Sequence, residues 1–291
     1  MQAKVSAVIP TSNRVEKLFV SMRLILDCDP PPAELIVHVD AGDTQTAAAV
    51  RKHFPDVKLL ESSSQIGPGG GRNRLLATAG YELVASFDDD SYPLDRDYFR
   101  VLDDLFARFP EAAVVGARVI HEGEAVIPRG ASSYWVADFV GCACAYRREA
   151  FLATKGYVPL LVAYGMEEVD LSLRLHDRGW AILKTDALRV FHATSRHHHA
   201  NAVVTRASIA NMALLTFLRY PVRYWWIGVG QVFNRVVWLL RHRRWTGLIG
   251  GLVCIPTHLY HHRSHRGLVA AKALRNYLAL RRQAGTPTVN G

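Results

Sequence analysis

Short apolar runs rich in β-branched residues alternate with helical patterns over the first two-thirds of the chain. Four strands are predicted, at residues 5–9, 34–40, 57–61 and 83–87. The spacing of apolar positions predicts helices between them, at residues 15–26, 44–53 and 75–79. Strands separated in this way by helices predict an α/β fold, with a mostly parallel central sheet flanked by helices and joined by right-handed crossovers.

The same alternation continues as far as about residue 195. Further strands are predicted at residues 113–120, 140–146, 181–183 and 188–191, and further helices at residues 97–108 and 167–178. From about residue 201 the pattern is helical only, with helices predicted at residues 204–219, 224–241, 246–260 and 268–282. We therefore expect an α/β domain over residues 1–200 and a C-terminal helical extension over residues 201–291.

Charge is distributed unevenly between these two units. The formal net charge is +9, yet no acidic residue follows Asp186, and residues 187–291 contain fifteen Lys or Arg. Tryptophans and aliphatic residues are interleaved with these arginines, and Asn234 and Arg235 interrupt the best candidate for a membrane span. This pattern predicts interfacial helices on an anionic membrane surface. Packing of the same helices against the α/β domain is the alternative, and both can hold for different faces.

Composition disfavours several other classes of protein. Nucleic-acid binding is not expected, because the basic region also carries long aliphatic runs and no recognised DNA or RNA motif. The four cysteines are too scattered for a disulfide framework, and the pair Cys142 and Cys144 lacks the two further ligands of a structural zinc site. All four are therefore interpreted as small buried hydrophobic residues.

Residues 1–4 lead directly into a strand without a signal peptide, which predicts a cytoplasmic location.

Three consecutive carboxylates, Asp88, Asp89 and Asp90, follow the predicted strand at residues 83–87, and Pro93 stops its continuation. The carboxyl ends of strands are where ligands bind in open α/β sheets. Adjacent carboxylates repel one another unless a cation or hydrogen bonds offset that cost. A divalent ion, Mn²⁺ or Mg²⁺, shared with substrate phosphates would do so. An acidic turn that caps the next helix is the alternative interpretation.

Other polar groups are predicted at the same edge of the sheet. The strands that end at Pro10 and Asp40 should finish beside Asp88. Residues 65–74 form a glycine-rich loop with two arginines, which suits a phosphate, although a flexible surface loop would look the same. His192 directly follows a strand and is a candidate nitrogen ligand for the metal ion.

A further group of carboxylates, Glu167, Glu168 and Asp170, lies in the first turn of a predicted helix. Acidic residues there can simply complement the helix dipole. A general base would instead need its pKa raised by burial and neighbouring carboxylates.

Several segments stand together in the order and spacing of one known family's motifs. They are residues 5–14, Val39-Asp40, Gly70 to Arg74, Asp88 to Asp90, residues 165–171 and His192. In order, they resemble an opening strand with an I-P-T-x-N-R turn, a V-D-D-G-S element, a G-x-A-R-N loop, a D-x-D motif, an E-D-x-D-L segment and a metal-binding His. Over about residues 4–195 the chain resembles the family 2 glycosyltransferases of GT-A fold, which are nucleotide-diphospho-sugar transferases. That shared order favours the metal site over the acidic turn.

The resemblance implies a role for each matching residue. Glu168 takes the position of the catalytic base, with Glu167 and Asp170 on the acceptor side. Asp90, Asp88 and His192 take the positions of metal ligands. The nucleotide-sugar-binding positions are Pro10, Thr11, Arg14, Asp40, Gly70, Arg72, Asn73 and Asp89.

The implied activity is inverting, metal-dependent transfer of a hexose or deoxyhexose, rhamnosyl-type among them, from a nucleotide-diphosphate donor. The sugar is expected to be transferred to a hydroxyl of a glycan or of a lipid-linked acceptor, in the synthesis of cell-surface polysaccharide. The enzyme is expected to be peripheral on the inner face of the cell membrane. A catalytically silent nucleotide-sugar-binding homologue and a GT-A-like nucleotidyltransferase remain the alternatives.

Overall fold

Parallel strands joined by helices form the first part of the chain in the computed structural model, which describes residues 3–194 and 201–283. The strands are β1 Ala3–Thr11, β2 Pro32–Val39, β3 Lys58–Glu61 and β4 Leu83–Phe87. The helices between them are α1 Val15–Leu26, α2 Thr46–His53 and α3 Gly67–Thr78. All neighbours in the order β3-β2-β1-β4 pair in parallel, as the alternation of apolar runs and helices predicts.

The glycine-rich stretch is part of a helix, so its prediction as a loop was wrong. Helix α3 begins at Gly67, and Pro68 occupies its first turn, where a missing N–H is tolerated. The following glycines are buried where a Cβ would collide with a neighbour: one at Gly69 would lie 2.1 Å from Glu167 Oε1, and one at Gly71 would lie 2.7 Å from His38 Nδ1. Close packing therefore explains these glycines better than flexibility does.

Beyond β4 the sheet becomes mixed. Its remaining strands are β5 Ser91–Pro93, β6 Ala112–His121, β7 Ser133–Trp135, β8 Ala143–Arg147 and β9 Ala181–His192. The remaining helices of this part are α4 Tyr98–Arg108, α5 Arg148–Ala153 and α6 Glu167–Asp177. The order continues from β4 as β8-β6-β9-β5, with β7 beside β9. Strand β8 runs antiparallel to both β4 and β6, and β9 is one long strand where the sequence predicted two.

The pairing of β5 with β9 positions the candidate metal ligands. These strands are antiparallel, and Ser91 lies opposite His192. The carboxylates that precede β5 are therefore brought next to the end of β9, about a hundred residues later in the sequence. A three-residue strand such as β5 gives no periodic signal, so the sequence predicted neither the strand nor this register.

Both faces of the sheet are covered, which explains the almost continuous apolar strands. On β1, Ala7 and Ile9 point into a core shared with α1, α2 and α4, while Val8 points to the opposite side, towards α3, α5 and α6. This alternation follows from the two-residue period of a strand. The edge of the sheet at which these strands end is therefore supported by packed elements on both faces.

The C-terminal part is helical, as predicted. Its helices are α7 Ala202–Arg219, α8 Trp225–Arg241, α9 Leu248–Val253, α10 Ile255–His261 and α11 Ala271–Arg282. The single helix predicted at residues 246–260 is two helices, and Pro256 lies in the first turn of the second. Leu173 of α6 packs in a common core with Leu214 of α7 and Leu274 of α11, so one face of the extension covers the α/β part. Among the described residues, no helix is both long and apolar enough to cross a bilayer.

A buried ion-pair network reinforces this junction. Asp170 of α6 is 1% exposed and contacts the guanidinium groups of Arg174 and Arg219. Arg219 Nη1 also donates to the carbonyl oxygens of His265 and Gly267, at 2.8 and 3.1 Å. Asp170 was predicted on the acceptor side of the site, but its carboxylate is enclosed by arginines and instead joins α6 to the helical extension.

Candidate functional site

A cleft of about 640 Å³ opens at the carboxyl edge of the sheet. Eight of the predicted site residues line it: Pro10, Thr11, Arg14, Asp40, Asp88, Asp89, Asp90 and His192. The extension reaches the same cleft through Asn201 and Val204, at the start of α7. The structure thus brings the ends of β1, β2, β4 and β9 to one site, together with the first turn of α7.

Asp90 is the most enclosed of the three consecutive carboxylates. Its Oδ2 accepts hydrogen bonds from Thr194 Oγ1 at 2.6 Å, Arg14 Nη1 at 3.0 Å and Lys17 Nζ at 3.3 Å. Burial by itself would raise the pKa of Asp90, but the hydrogen-bonding and cationic neighbours hold it well below the ordinary range. This side chain is therefore a carboxylate anion at any physiological pH.

One oxygen of Asp90 has no hydrogen-bond partner in the part of the chain that the structure describes. His192 Nε2 lies 3.1 Å from Asp90 Oδ1, but the pair is out of hydrogen-bond alignment. His192 Nδ1 is also buried without a hydrogen-bond partner among the described residues. Buried polar atoms are normally satisfied, so two unsatisfied atoms on residues that line one cleft fit a site for a cation. Asp90 and His192 therefore fit the predicted metal site.

Asp89 fixes the turn after β1 rather than facing open solvent. It is 5% exposed, and it accepts hydrogen bonds from Thr11 Oγ1 at 2.9 Å and Arg14 Nη1 at 2.7 Å. Burial raises the pKa of Asp89 to about 6, against the opposing effect of Arg14. The loop from Thr11 to Arg14 is thus tied to the acidic strand end.

Asp88 is the carboxylate most open to the cleft, and Arg72 supports it. Arg72 is buried on α3, with Nε donating to Ser86 Oγ at 3.2 Å and Nη2 contacting Asp88 Oδ1. Asp88 N–H donates to Ser91 Oγ at 2.8 Å. Arg72 does not line the cleft, so the structure gives it a positioning role in place of the predicted contact with the nucleotide sugar.

Two further predicted donor-binding residues on α3 also lie outside the cleft. Asn73 forms two hydrogen bonds with the backbone of Tyr157, at 2.9 and 2.7 Å. Gly70 packs against Ile66, because a Cβ there would lie 2.7 Å from the Ile66 side chain. Asp40 does line the cleft, and its carboxylate accepts the N–H groups of Ile66 and Gly67 at the start of α3. The glycine-rich segment is therefore anchored to the cleft wall by Asp40.

The acidic first turn of α6 lies next to α3 and β8. Glu167 is 4% exposed and packs on Gly69, and burial together with the neighbouring Glu168 raises its pKa to about 8. Glu168 is partly exposed, with its carboxylate beside Gly141 and near Arg72. Burial raises the pKa of Glu168 too, although the charge of Arg72 opposes the rise. With a pKa of about 8, Glu167 is mostly protonated near neutral pH.

Sequence reasoning missed several residues of the site, among them Thr194, Asn201 and Val204, which line the cleft, and Cys142, which lies beside it. A carboxylate oxygen of Asp88, a ring nitrogen of His192 and the sulfur of Cys142 all lie within 4.8 Å of one another. Cys142 stands directly before β8, whose antiparallel pairing sets Ala143 opposite Phe87 at the end of β4. The sequence spacing contains no signal for this approach, because it depends on the pairing of distant strands.

Comparison with known proteins agrees with this architecture. The family model described as "Glycosyl transferase family 2" matches residues 6–153, just over half of the chain. No curated protein sequence matches the chain.

Three solved structures illustrate the likeness in fold. GalNAc-T7 with UDP, GalNAc and Mn²⁺ aligns with a TM-score of 0.60 at 13% identity, over 76% of this chain and 49% of that one. The mannosyltransferase PcManGT from Pyrobaculum calidifontis, with GDP-Man and Mn²⁺, aligns with a TM-score of 0.57 at 16% identity, over 98% and 77%. S. aureus TarS 1-349 with UDP-GlcNAc aligns with a TM-score of 0.53 at 15% identity, over 91% and 93%. The chain spans about half the length of GalNAc-T7, and the fold is that of the GT-A glycosyltransferases.

Proposed function

The chain belongs to glycosyl transferase family 2, and we propose that it transfers a hexose or deoxyhexose from a nucleoside-diphosphate sugar to an acceptor hydroxyl, with inversion and with a divalent metal ion. The observation that carries this proposal is the convergence of Asp88, Asp90 and His192 on one cleft, where Asp90 Oδ1 and His192 Nδ1 are buried and unsatisfied among the described residues. In a purely structural acidic turn, hydrogen bonds normally satisfy the buried carboxylate oxygens.

Donor binding follows from the charges that line the cleft. Breaking the bond between a sugar and a diphosphate develops negative charge on the leaving phosphate. Arg14 and Lys17 bring two cationic groups to this edge. A divalent ion held by Asp88, Asp90 and His192 would neutralise that charge without proton transfer. Pro10, Thr11 and Asp40 form the remaining wall, which we assign to the nucleoside.

The acceptor hydroxyl must lose its proton as its oxygen attacks the anomeric carbon. Glu168 is suited to take that proton, because it is partly exposed and because burial raises its pKa towards the working range of a general base. Glu167, protonated near neutral pH, cannot do so. Attack opposite the leaving diphosphate in a single displacement inverts the anomeric configuration.

The identity of the donor is proposed only as a class. The similar structures contain UDP, GDP-Man and UDP-GlcNAc, and two of them contain Mn²⁺. Ala41 stands where the V-D-D-G-S element has its second acid or amide. Binding of nucleotide sugars with and without a divalent ion is the direct test, because donor and ion would share the same carboxylates.

The exposed side chains of the helical extension favour a membrane-bound acceptor. Large apolar side chains there face solvent, and the most exposed are Trp226, Val229, Phe233, Trp245, Ile249 and Val253, at 65–75%. No acidic residue occurs anywhere in the extension, whereas Arg241 is the last residue of α8 and Arg243 and Arg244 follow shortly after it. Exposed aromatic residues beside clustered arginines suit the headgroup region of an anionic bilayer.

A groove on this side of the extension gives the membrane proposal a specific feature. It measures about 450 Å³ and lies among α7, α8, α9 and α10, with lining residues that are almost all apolar, such as Phe217, Val232 and Ile255. Arg266 lies over the ring of Phe217 at 5.1 Å, which puts a cation at the rim. We propose that a hydrocarbon chain of an anionic lipid occupies this groove, which suits a lipid-linked acceptor at the cytoplasmic face of the membrane.

Replacing Phe233 by Glu is expected to weaken binding to anionic vesicles by about tenfold or more, since removing one large apolar side chain from lipid costs about 1.5–3 kcal/mol. Co-sedimentation with phosphatidylglycerol vesicles measures the effect. Val126→Glu is the matched control, because Val126 is also exposed but lies on the α/β part. Wild-type protein that stays in the supernatant at low salt, or equal losses in both variants, would contradict the membrane proposal.

A further inference from the structure

The sulfur of Cys142 differs from those of the other three cysteines in its surroundings. Cys28 and Cys254 donate S–H to backbone carbonyl oxygens, and Cys144 Sγ lies 3.0 Å from the Tyr146 hydroxyl. Cys142 Sγ makes no hydrogen bond within residues 3–194 and 201–283, although the residue is only 4% exposed. Its sulfur lies instead beside the carboxylate of Asp88 and the ring of His192, with one ligand atom of each within 4.8 Å.

The surroundings of this group point to a cation. His192 Nδ1 and Asp90 Oδ1 are both buried, and neither has a hydrogen-bond partner among the residues that the structure describes; the side chain of Asp90 is 1% exposed. The donor atoms come from the ends of three different strands, β4, β8 and β9, so packed elements fix their positions. A site that combines oxygen, nitrogen and sulfur donors on rigid elements can bind a transition-metal ion.

We propose that Cys142 is a sulfur ligand of the metal ion in the donor cleft, together with Asp88 and His192, and that the site consequently prefers Co²⁺ or Zn²⁺ to Mg²⁺. The proposal rests on the glycosyltransferase function only in locating the ion beside the donor. Coordination through sulfur requires the thiol to release its proton to solvent as the metal–sulfur bond forms. Mg²⁺ favours oxygen ligands and retains water, whereas thiolates select softer ions.

Cobalt titration of the full chain, with no nucleotide present, tests the sulfur ligand directly. Co²⁺ bound by a thiolate gives a near-ultraviolet charge-transfer band, which cobalt bound by histidine or carboxylate alone lacks. The chain has 13 histidines, so the sulfur-specific band is the informative signal. We expect the band in wild-type protein and in Cys144→Ser, the matched control two residues away. In Cys142→Ser the band should disappear, and Co²⁺ affinity should fall by at least the 10–100-fold that loss of a supporting group around a metal site costs.

Two results would overturn the proposal. Wild-type protein that binds Co²⁺ without the band would exclude the sulfur ligand while leaving the donor site intact. Retention of the band in Cys142→Ser would assign the sulfur to another cysteine. Circular dichroism of both variants checks that they are folded. In competition with excess Mg²⁺, the wild type should keep its Co²⁺ band, and loss of the band would contradict the proposed selectivity. Glycosyl transfer is not used as a readout, so failure of the proposed activity would be recognised separately.

Discussion

Replacing Glu168 by Gln should lower kcat for glycosyl transfer by about 10²–10⁴, the range that loss of a general base produces. The amide has nearly the same shape and hydrogen-bonding reach as the carboxylate, but it cannot accept the proton of the acceptor hydroxyl. Binding of the donor should be retained, because Glu168 does not line the cleft formed by the ends of β1, β2, β4 and β9. Donor consumption, followed as release of nucleoside diphosphate, and donor Kd by calorimetry are the two measurements.

The neighbouring carboxylate provides the control for this variant. Glu167 has its pKa raised to about 8, so it is already mostly neutral near pH 7. Glu167→Gln should therefore retain most of the activity at pH 7. Full activity of Glu168→Gln would contradict its role as the base, and a large loss in Glu167→Gln alone would transfer that role to Glu167.

Replacing Asp170 by Ala should lower the free energy of unfolding by about 3–5 kcal/mol, because it leaves two buried arginines without their counter-charge. The carboxylate is 1% exposed and contacts both Arg174 and Arg219, so no water can replace it without rearrangement. Arg219 also holds the segment at His265 and Gly267, so the loss should loosen the attachment of the helical extension.

Urea unfolding followed by tryptophan fluorescence measures this effect, since all six tryptophans lie after residue 134 and four of them lie in the extension. Asp104→Ala is the matched control, because its ion pair with Arg100 is exposed and should contribute less than about 1 kcal/mol. An Asp170→Ala variant as stable as the control would contradict the structural role of the network.

The sequence predicted those parts of the fold that are determined locally. Strands β1, β2 and β4 and helices α1, α4 and α6 were predicted within about two residues of their observed bounds, because each has a clear apolar period and a turn signal at its end. The three-residue strands β5 and β7 have no such period. The joining of residues 181–192 into one strand depends on its long partner β6, which local patterns do not reveal.

The sequence likewise predicted some residues of the candidate site correctly and others not. Residues at the ends of parallel strands, such as Asp40 and Asp88, converge because all parallel strands finish at one edge. Arg72 and Asn73 were expected in the cleft from the glycine-rich motif, but the helical conformation of that stretch turns them into the protein. Asp170 was misassigned because its partner Arg219 comes from an element that is distant in sequence. Cys142 is buried, as predicted, but its approach to His192 depends on strand pairing that local patterns do not reveal.

Metal-dependent binding of nucleotide sugars tests the donor site most directly. A ligand at 100 times its Kd stabilises the folded state by about 2.7 kcal/mol, so melting temperatures report binding. UDP-, GDP- and dTDP-sugars would be screened with Mn²⁺, with Mg²⁺ and with EDTA, using wild type, Asp90→Asn, Asp88→Asn and the surface control Asp104→Asn. We predict that one nucleotide class raises the melting temperature of wild type and Asp104→Asn only when a divalent ion is present, and that both cleft variants lose the shift. Equal stabilisation in EDTA, or in Asp90→Asn, would contradict a metal-assisted donor site at the end of β4.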